Sequence, residues 1–270
     1  MRQTKALSVS LSSVILASIL LIVALVSSLL ANNMIEMQSQ TVEFDQGRDA
    51  YLLLATNIED VALKPLSAAY VMINSRAGGP SFDRNVGNIS VDISGWEPLQ
   101  EAIGSAQAQL NFLRYRGGYL VSVDAFEYFR GDGSLIVGGV SAPLVTVSAN
   151  QSQGAWITLQ SGRVRVVNHG SFRLLMGGQY TRCNVIEVTF IRLVTPPQNR
   201  TVSGGSLAGR VYIRAECTNI TTVAYQFSGN SVGVTVTINP YGLTKSVTVS
   251  GDASTTVVNF VVAEVEITYL

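Results

Sequence analysis

One histidine, His169, and two cysteines, Cys183 and Cys217, are all the imidazole and thiol in this 270-residue chain. A zinc centre of the Cys/His type needs three or four such ligands, so almost no room is left for one. Charge is scarce as well. Only 13% of residues are Asp, Glu, Lys or Arg, about half the ~25% usual in globular proteins. The 18 basic and 18 acidic residues cancel, so there is no electrostatic footprint for nucleic acid. Gly, Ser and Thr supply the polar surface instead, a pattern that suits a body outside the cell.

One stretch without charge is also strongly apolar: Ala6 to Ile35, thirty residues bounded by Arg2 and Lys5 before and Glu36 after. Its densest part, Val14 to Ala31, reads VILASILLIVALVSSLLA. As a helix the run is ~45 Å long, and about 20 apolar residues suffice to cross a bilayer core with every backbone hydrogen bond made internally. Basic residues precede it and the next one is Arg48, which places the N-terminus in the cytoplasm and the body outside. A cleaved secretory signal has an apolar core of about 7–15 residues and a small-x-small site. This core is longer, and neither Leu29/Ala31 nor Ser28/Leu30 is small at both positions. A plain membrane anchor fits the run equally well.

Beyond Asn32-Asn33, helical periodicity resumes. Phe44, Gly47, Tyr51, Leu54, Ile58 and Val61 form one stripe, with Asp45, Asp49, Thr56 and Asp60 opposite. Lys64-Pro65 ends the pattern, because a residue before proline is pushed out of the α region. The rod is expected over 7–63, bending at Gly47 if anywhere. Its second half should lie against the body.

From Leu66 onward the chain reads as β-structure. Strand-like runs cover 67–74, 88–94, 154–160, 163–168, 184–194, 209–215, 221–227, 232–238, 243–249 and 255–270. Turn signals such as Ala77-Gly-Gly-Pro, Arg130-Gly-Asp-Gly and Asn239-Pro-Tyr-Gly separate them. The rhythm argues for an α+β fold: a long N-terminal helix followed by a mainly antiparallel β-sandwich over 65–270. Leu99 to Leu113 has helical spacing interrupted by Gly104, and reads as a short helix running into a strand. Tyr115-Arg-Gly-Gly-Tyr then reads as a hairpin. Pro-Pro, a sequon and Gly-Gly cluster at Thr195–Gly205, a seam at which the body could divide.

Cys183 and Cys217 flank that seam. Outside the cell a disulfide between them is expected, adding roughly 3–4 kcal/mol in the chain-entropy model; two buried thiols are the alternative. Glycosylation sequons begin at Asn88, Asn150, Asn199 and Asn219. Sequence this rich in Ser and Thr produces some by chance.

No catalytic constellation emerges. Gly204-Gly-Ser-Leu-Ala-Gly209 lacks the spacing of a nucleophile elbow. Arg130-Gly-Asp-Gly133 lacks a phosphate-loop ending and reads as a polar turn. His169 sits in what reads as a turn, with no serine–acid partnership to argue from it. No enzyme, cofactor or metal is expected. A carboxylate pair meeting in a cleft, as in glycosidases, would be the exception.

The front edge of the apolar run adds one motif. Lys5-Ala6-Leu7-Ser8 resembles the class III signal peptide of archaeal type IV pilin-like proteins: a basic residue, Gly or Ala, then the first mature residue. The resemblance implies a prepilin leader over 1–6, cut between Ala6 and Leu7 by a prepilin peptidase on the cytoplasmic side. It also implies a core helix over 7–31, an amphipathic extension over 32–64 and an extracellular β-body. Bacterial pilins carry Glu five residues into the mature chain, where this sequence has Leu11, so the likeness is to the archaeal branch. The implied role is a structural subunit of a cell-surface filament, pilin or minor pilin/pseudopilin, with adhesion a role for its large head. Implied partners are copies of itself or other pilin-like subunits, the pilus assembly machinery, and membrane lipid before assembly. Serines at 8, 10, 12, 13, 18, 27 and 28 would let such helices approach closely. The alternative is a single-pass anchored β-sandwich binding module that never polymerises.

Overall fold

The structure, a computed structural model, describes residues 3–152, 154–176, 178–195 and 209–270, with side chains from Ser13 onward except Met176. Helix α1 runs without a break over Gln3–Ala62, about 90 Å at helical rise. It ends two residues before Lys64-Pro65. Among the described residues thirteen strands follow: β1 (Ala68–Ser75), β2 (Gly79–Ile93), β3 (Ala108–Arg116), β4 (Phe126–Arg130), β5 (Ile136–Gly138), β6 (Thr146–Gln151), β7 (Ala155–Gln160), β8 (Val164–Met176), β9 (Gln179–Val194), β10 (Gly209–Ser228), β11 (Ser231–Asn239), β12 (Leu243–Ser250) and β13 (Thr255–Tyr269). A short helix, α2 (Pro98–Ile103), precedes β3 and stops at Gly104 in the left-handed region (φ 72°), the conformation that favours glycine at a helix end.

Two sheets form the body, in the orders β1-β10-β13-β9-β8-β5 and β12-β11-β2-β3-β7-β6-β4. All pairings are antiparallel except β9 with β13 and β5 with β8. The expected α+β sandwich is what the chain adopts. Strands from either side of 195–205 are interleaved: β13 pairs with β9, β10 with β1 and β11 with β2. Strands on both sides of the stretch thus share both sheets, and residues 196–205 of it lie outside the described ones.

A division exists, but along the strands. In β13 the buried side chains alternate as far as Val262, then change phase at Ala263. In β9 the phase changes at Phe190/Ile191, and these residues pair directly with Val262 and Ala263 in an unbroken register. Neighbouring side chains point to opposite faces of a sheet. So β9 and β13 give one face to a distal core with Ile89, Val91, Val234 and Phe260, and the other to a proximal core with Val71, Ile213 and Leu159. The second half of α1 fills the proximal core between the sheets, touching β1, β10 and β13 on one side and β6 and β7 on the other.

Several local expectations change. Runs 209–215 and 221–227 are one strand, β10, carrying a bulge between Cys217 and Asn219; the extra residue broke the alternation. Residue 169 lies inside β8 at a register shift, not in a turn, and His169 Nε2 stands 3.4 Å from Glu187 Oε2. No disulfide joins Cys183 and Cys217, both buried thiols. Cys217 lies opposite Val265, which lies opposite Leu193, ten residues along β9 from Cys183. At ~3.3 Å per residue that is about 33 Å, against the ~6 Å between Cα atoms that a disulfide spans.

Candidate functional site

Two halves of α1 behave oppositely. From Ser13 to Ser39 nearly every side chain is exposed, including Val14, Leu20, Leu21, Leu25, Leu29 and Ile35, each more than half open. In water this apolar surface is far larger than the few hundred square ångströms a soluble monomer shows in one patch. The helix is long and apolar enough to cross a membrane. Ser18 Oγ satisfies itself locally by donating to the Val14 carbonyl at 2.8 Å, so it adds little polarity to the surface.

From Gln40 the helix enters the body. Phe44, Gly47, Tyr51, Leu54, Ile58 and Val61 are all buried, while Asp45, Asp49, Thr56 and Asp60 stay exposed, as the stripe predicts. Gly47 does not mark a break. A Cβ there would come within 2.8 Å of the Tyr115 ring, so the glycine admits a side chain from β3 and the helix continues through it. Tyr115-Arg-Gly-Gly-Tyr is not a hairpin but the clasp on this side. A Cβ on Gly117 would reach Phe44 at 2.7 Å, and one on Gly118 would reach Gln40 at 2.2 Å. Gln40 Oε1 accepts the Leu120 N–H at 3.0 Å.

Glu43 closes the opposite side. Its carboxylate accepts the backbone N–H groups of Arg76 (2.9 Å), Ala77 (3.1 Å) and Gly78 (3.2 Å), and the Tyr115 hydroxyl at 3.2 Å. Burial alone would raise its pKa; the three N–H groups outweigh that and hold it below the ordinary 4.5. Further along, Glu59 accepts from Arg130 Nη2 and from the Val145 N–H, both at 2.8 Å. The Arg-Gly-Asp triplet is thus a turn whose arginine pins β4 to the helix.

A carboxylate with a lowered native pKa stabilises the fold above its unfolded pKa, and that contribution is lost as pH falls through the native value. Thermal stability of the body is therefore expected to hold from pH 7 to about 4.5 and to fall below it. Glu43→Gln should lower stability at pH 7 by about 1 kcal/mol and flatten the acid limb, as melting curves between pH 3 and 7 would show. Asp132, lowered by the Ser134 N–H and hydroxyl and then by Arg163, leaves some slope in the variant. An unchanged acid limb would remove Glu43 from the account.

The other marked residues do not converge. Lys5, Ala6, Leu7 and Ser8 lie in the first turns of α1, their side chains outside the described ones. Asn88 is half-buried in β2 between Asn239 and Gln109. Asn150 is half-buried in β6, Asn219 is exposed at the β10 bulge, and Asn199 lies outside the described residues. Among the described residues no three His, Cys, Asp or Glu side chains group as metal ligands. A cleft of about 490 Å³ opens between β5, β8 and β12, walled by Leu135, Ile136, Val166, Val247 and Val249, with Lys245 its one charged residue. It holds no acid–base pair.

Comparison of the chain with protein-family models, with curated proteins and with solved structures returns no match.

Proposed function

We propose that this chain is a structural subunit of a type IV pilus-like filament on the cell surface, assembling through the first half of α1. One observation carries the reading: a single unbroken helix is apolar over 13–31, uncovered over 13–39 and locked into a β-body over 40–62. A membrane anchor needs only a flexible tether to its domain. This helix is clamped by Glu43, Gln40 and two glycines, so its exposed half projects at a fixed angle. That is the requirement for stacking many copies in register.

In this reading the chain inserts with its N-terminus in the cytoplasm and its body outside. A prepilin peptidase cuts after Ala6, and the loss of Arg2 and Lys5 removes the charges that hold the helix end in the cytoplasm. Helices over 7–31 then pack together by apolar contact and close approach at serine. The heads are displayed outside, with Asn88, Asn150, Asn199 and Asn219 as candidate sites for glycan.

Replacement of Ala6 by leucine is the direct test. The native chain is expected to begin at Leu7 by intact-mass measurement, and Ala6→Leu to keep residues 1–6 and to disappear from sheared surface filaments. A wild-type chain that begins at Met1 and stays in the membrane fraction would leave the anchored binding module as the better reading.

A further inference from the structure

The end of the body through which α1 emerges carries exposed basic groups beside two aromatic side chains. Arg76, Arg116 and Arg210 are exposed there. None of the three forms an ion pair among the described residues, whereas Arg114, Arg130, Arg192 and Arg214 each do. The Arg116 guanidinium lies 5.7 Å from the centroid of the Trp156 ring. Tyr119, at the tip of the clasp, is 81% exposed. The acids of this end are largely engaged: Glu43 by its three N–H groups, and Glu36 by Gln40 Nε2 at 2.8 Å. Asp124 and Glu127 are exposed beside it.

Height along the helix decides what this surface meets. Gln40, the first buried residue of α1 among those with described side chains, follows Ala31 by nine residues and Ile35 by five. At 1.5 Å per residue the underside therefore lies roughly 8–14 Å beyond the end of the apolar run. The headgroup zone of one leaflet is about 5–8 Å thick, half the difference between a bilayer's full and hydrocarbon thickness. Arginine and tyrosine side chains cover the remainder. The height cannot drift, because Gly117 and Gly118 pack directly on Phe44 and Gln40.

We infer that this underside, with Arg76, Arg116, Arg210, Tyr119 and Trp156, is a seat for the anionic phosphate headgroups of the leaflet that α1 leaves. Trp and Tyr settle at a membrane interface because one side of the ring is apolar and another is wet. Arginines near an anionic leaflet are held by its surface potential and pair with phosphate through the guanidinium fork. Seated this way, the body is upright and fixed in height before any assembly step. The inference rests on the reading that residues 7–31 cross a membrane.

The test uses the full chain in lipid nanodiscs, made of phosphatidylcholine alone or containing phosphatidylglycerol, with a nitroxide quencher on the lipid headgroup. Trp96 in the distal core is the internal reference, and Trp156→Phe isolates its signal. Quenching is expected to fall on Trp156 and not on Trp96, and to deepen with phosphatidylglycerol. Each of Arg76→Glu, Arg116→Glu and Arg210→Glu should lower the seated-to-lifted ratio at least about fivefold, the factor for ~1 kcal/mol per basic residue at such a surface. A chain retained in the discs whose Trp156 is quenched no more than Trp96 overturns the seat and leaves the membrane reading standing. Quenching that ignores both lipid charge and the arginine variants overturns the headgroup pairing. A chain not retained in the discs overturns the membrane reading itself.

Discussion

Tyr51→Ala is expected to lower the unfolding free energy of the body by about 3–5 kcal/mol, the range for truncating a fully buried aromatic side chain. No atom of Tyr51 is exposed. Its ring meets Tyr115 edge-on, with centroids 6.0 Å apart, and Tyr115 is in turn the side chain admitted by Gly47. Removing the ring therefore opens a cavity at the point where helix and sheet interlock, and little around it is free to collapse. The hydroxyl adds a second element by donating to the Arg114 carbonyl at 2.7 Å. Burial holds its pKa well above the ordinary 10, with Tyr269 and Tyr115 contributing, so it stays a neutral donor throughout the working range. Tyr51→Phe keeps the ring and loses only that bond, and should cost about 1 kcal/mol. Urea unfolding followed by tryptophan emission would separate the two variants. Equal losses would place the hydrogen bond, not the packing, at the centre of the junction.

The heptad-like stripe from Phe44 to Val61 was fully legible in the sequence, because one face of a helix against a core imposes a period on the order of apolar residues. The strands of the two central ladders were legible for the same reason. What stayed hidden depended on partners distant in the chain. Nothing local to Gly47 says that a β3 tyrosine occupies its space, and a mid-helix glycine reads as a hinge until that ring is seen. The clasp at Gly117-Gly118 had a visible signal, two adjacent glycines after a buried strand, but hairpin and close backbone approach give the same signal. Nothing in the sequence sets Glu43 apart. Its three N–H partners come from a turn that reaches it only because β1 runs back along the helix. Strands β4, β5 and β6 were missed between 116 and 154: β5 is three residues long, and β6 reads Thr-Val-Ser-Ala-Asn-Gln, without the large apolar alternation that marks a strand. The two cysteines show the limit most plainly. Their compartment argued for a bond, and the register of three strands sets them about 33 Å apart.

Arg163→Leu should be nearly as damaging as Tyr51→Ala, at about 3–5 kcal/mol, and for an opposite reason. Arg163 is buried, with 3% of its surface exposed, yet its main partners are neutral. Nε donates to the Ser134 carbonyl at 2.7 Å, Nη1 to the Pro143 carbonyl at 3.0 Å and Nη2 to the Asp132 carbonyl at 2.8 Å. The Asp132 carboxylate also pairs with Nη2, from a largely solvent-exposed position. The loop between β4 and β6 is thus wound round one guanidinium fork, close enough that a Cβ on Gly131 would strike Nη1 at 2.7 Å. Leucine leaves three carbonyls without the charged donor they share, and hydrogen bonds to a charged group contribute about 1.5–3 kcal/mol each. Lysine keeps the charge and not the planar fork, so Arg163→Lys should recover only a fraction of the loss. Asp132→Asn should cost less than ~1 kcal/mol, because a screened partner in solvent contributes little. Urea midpoints rank the three, and limited proteolysis between residues 131 and 145 reports the loop itself. If Asp132→Asn proved as harmful as Arg163→Leu, the ion pair would be the fastening and the carbonyl cage incidental. The ranking Leu, then Lys, then Asn says the reverse: a buried cation is held there to organise backbone, and through Arg130 and Glu59 that backbone holds the helix.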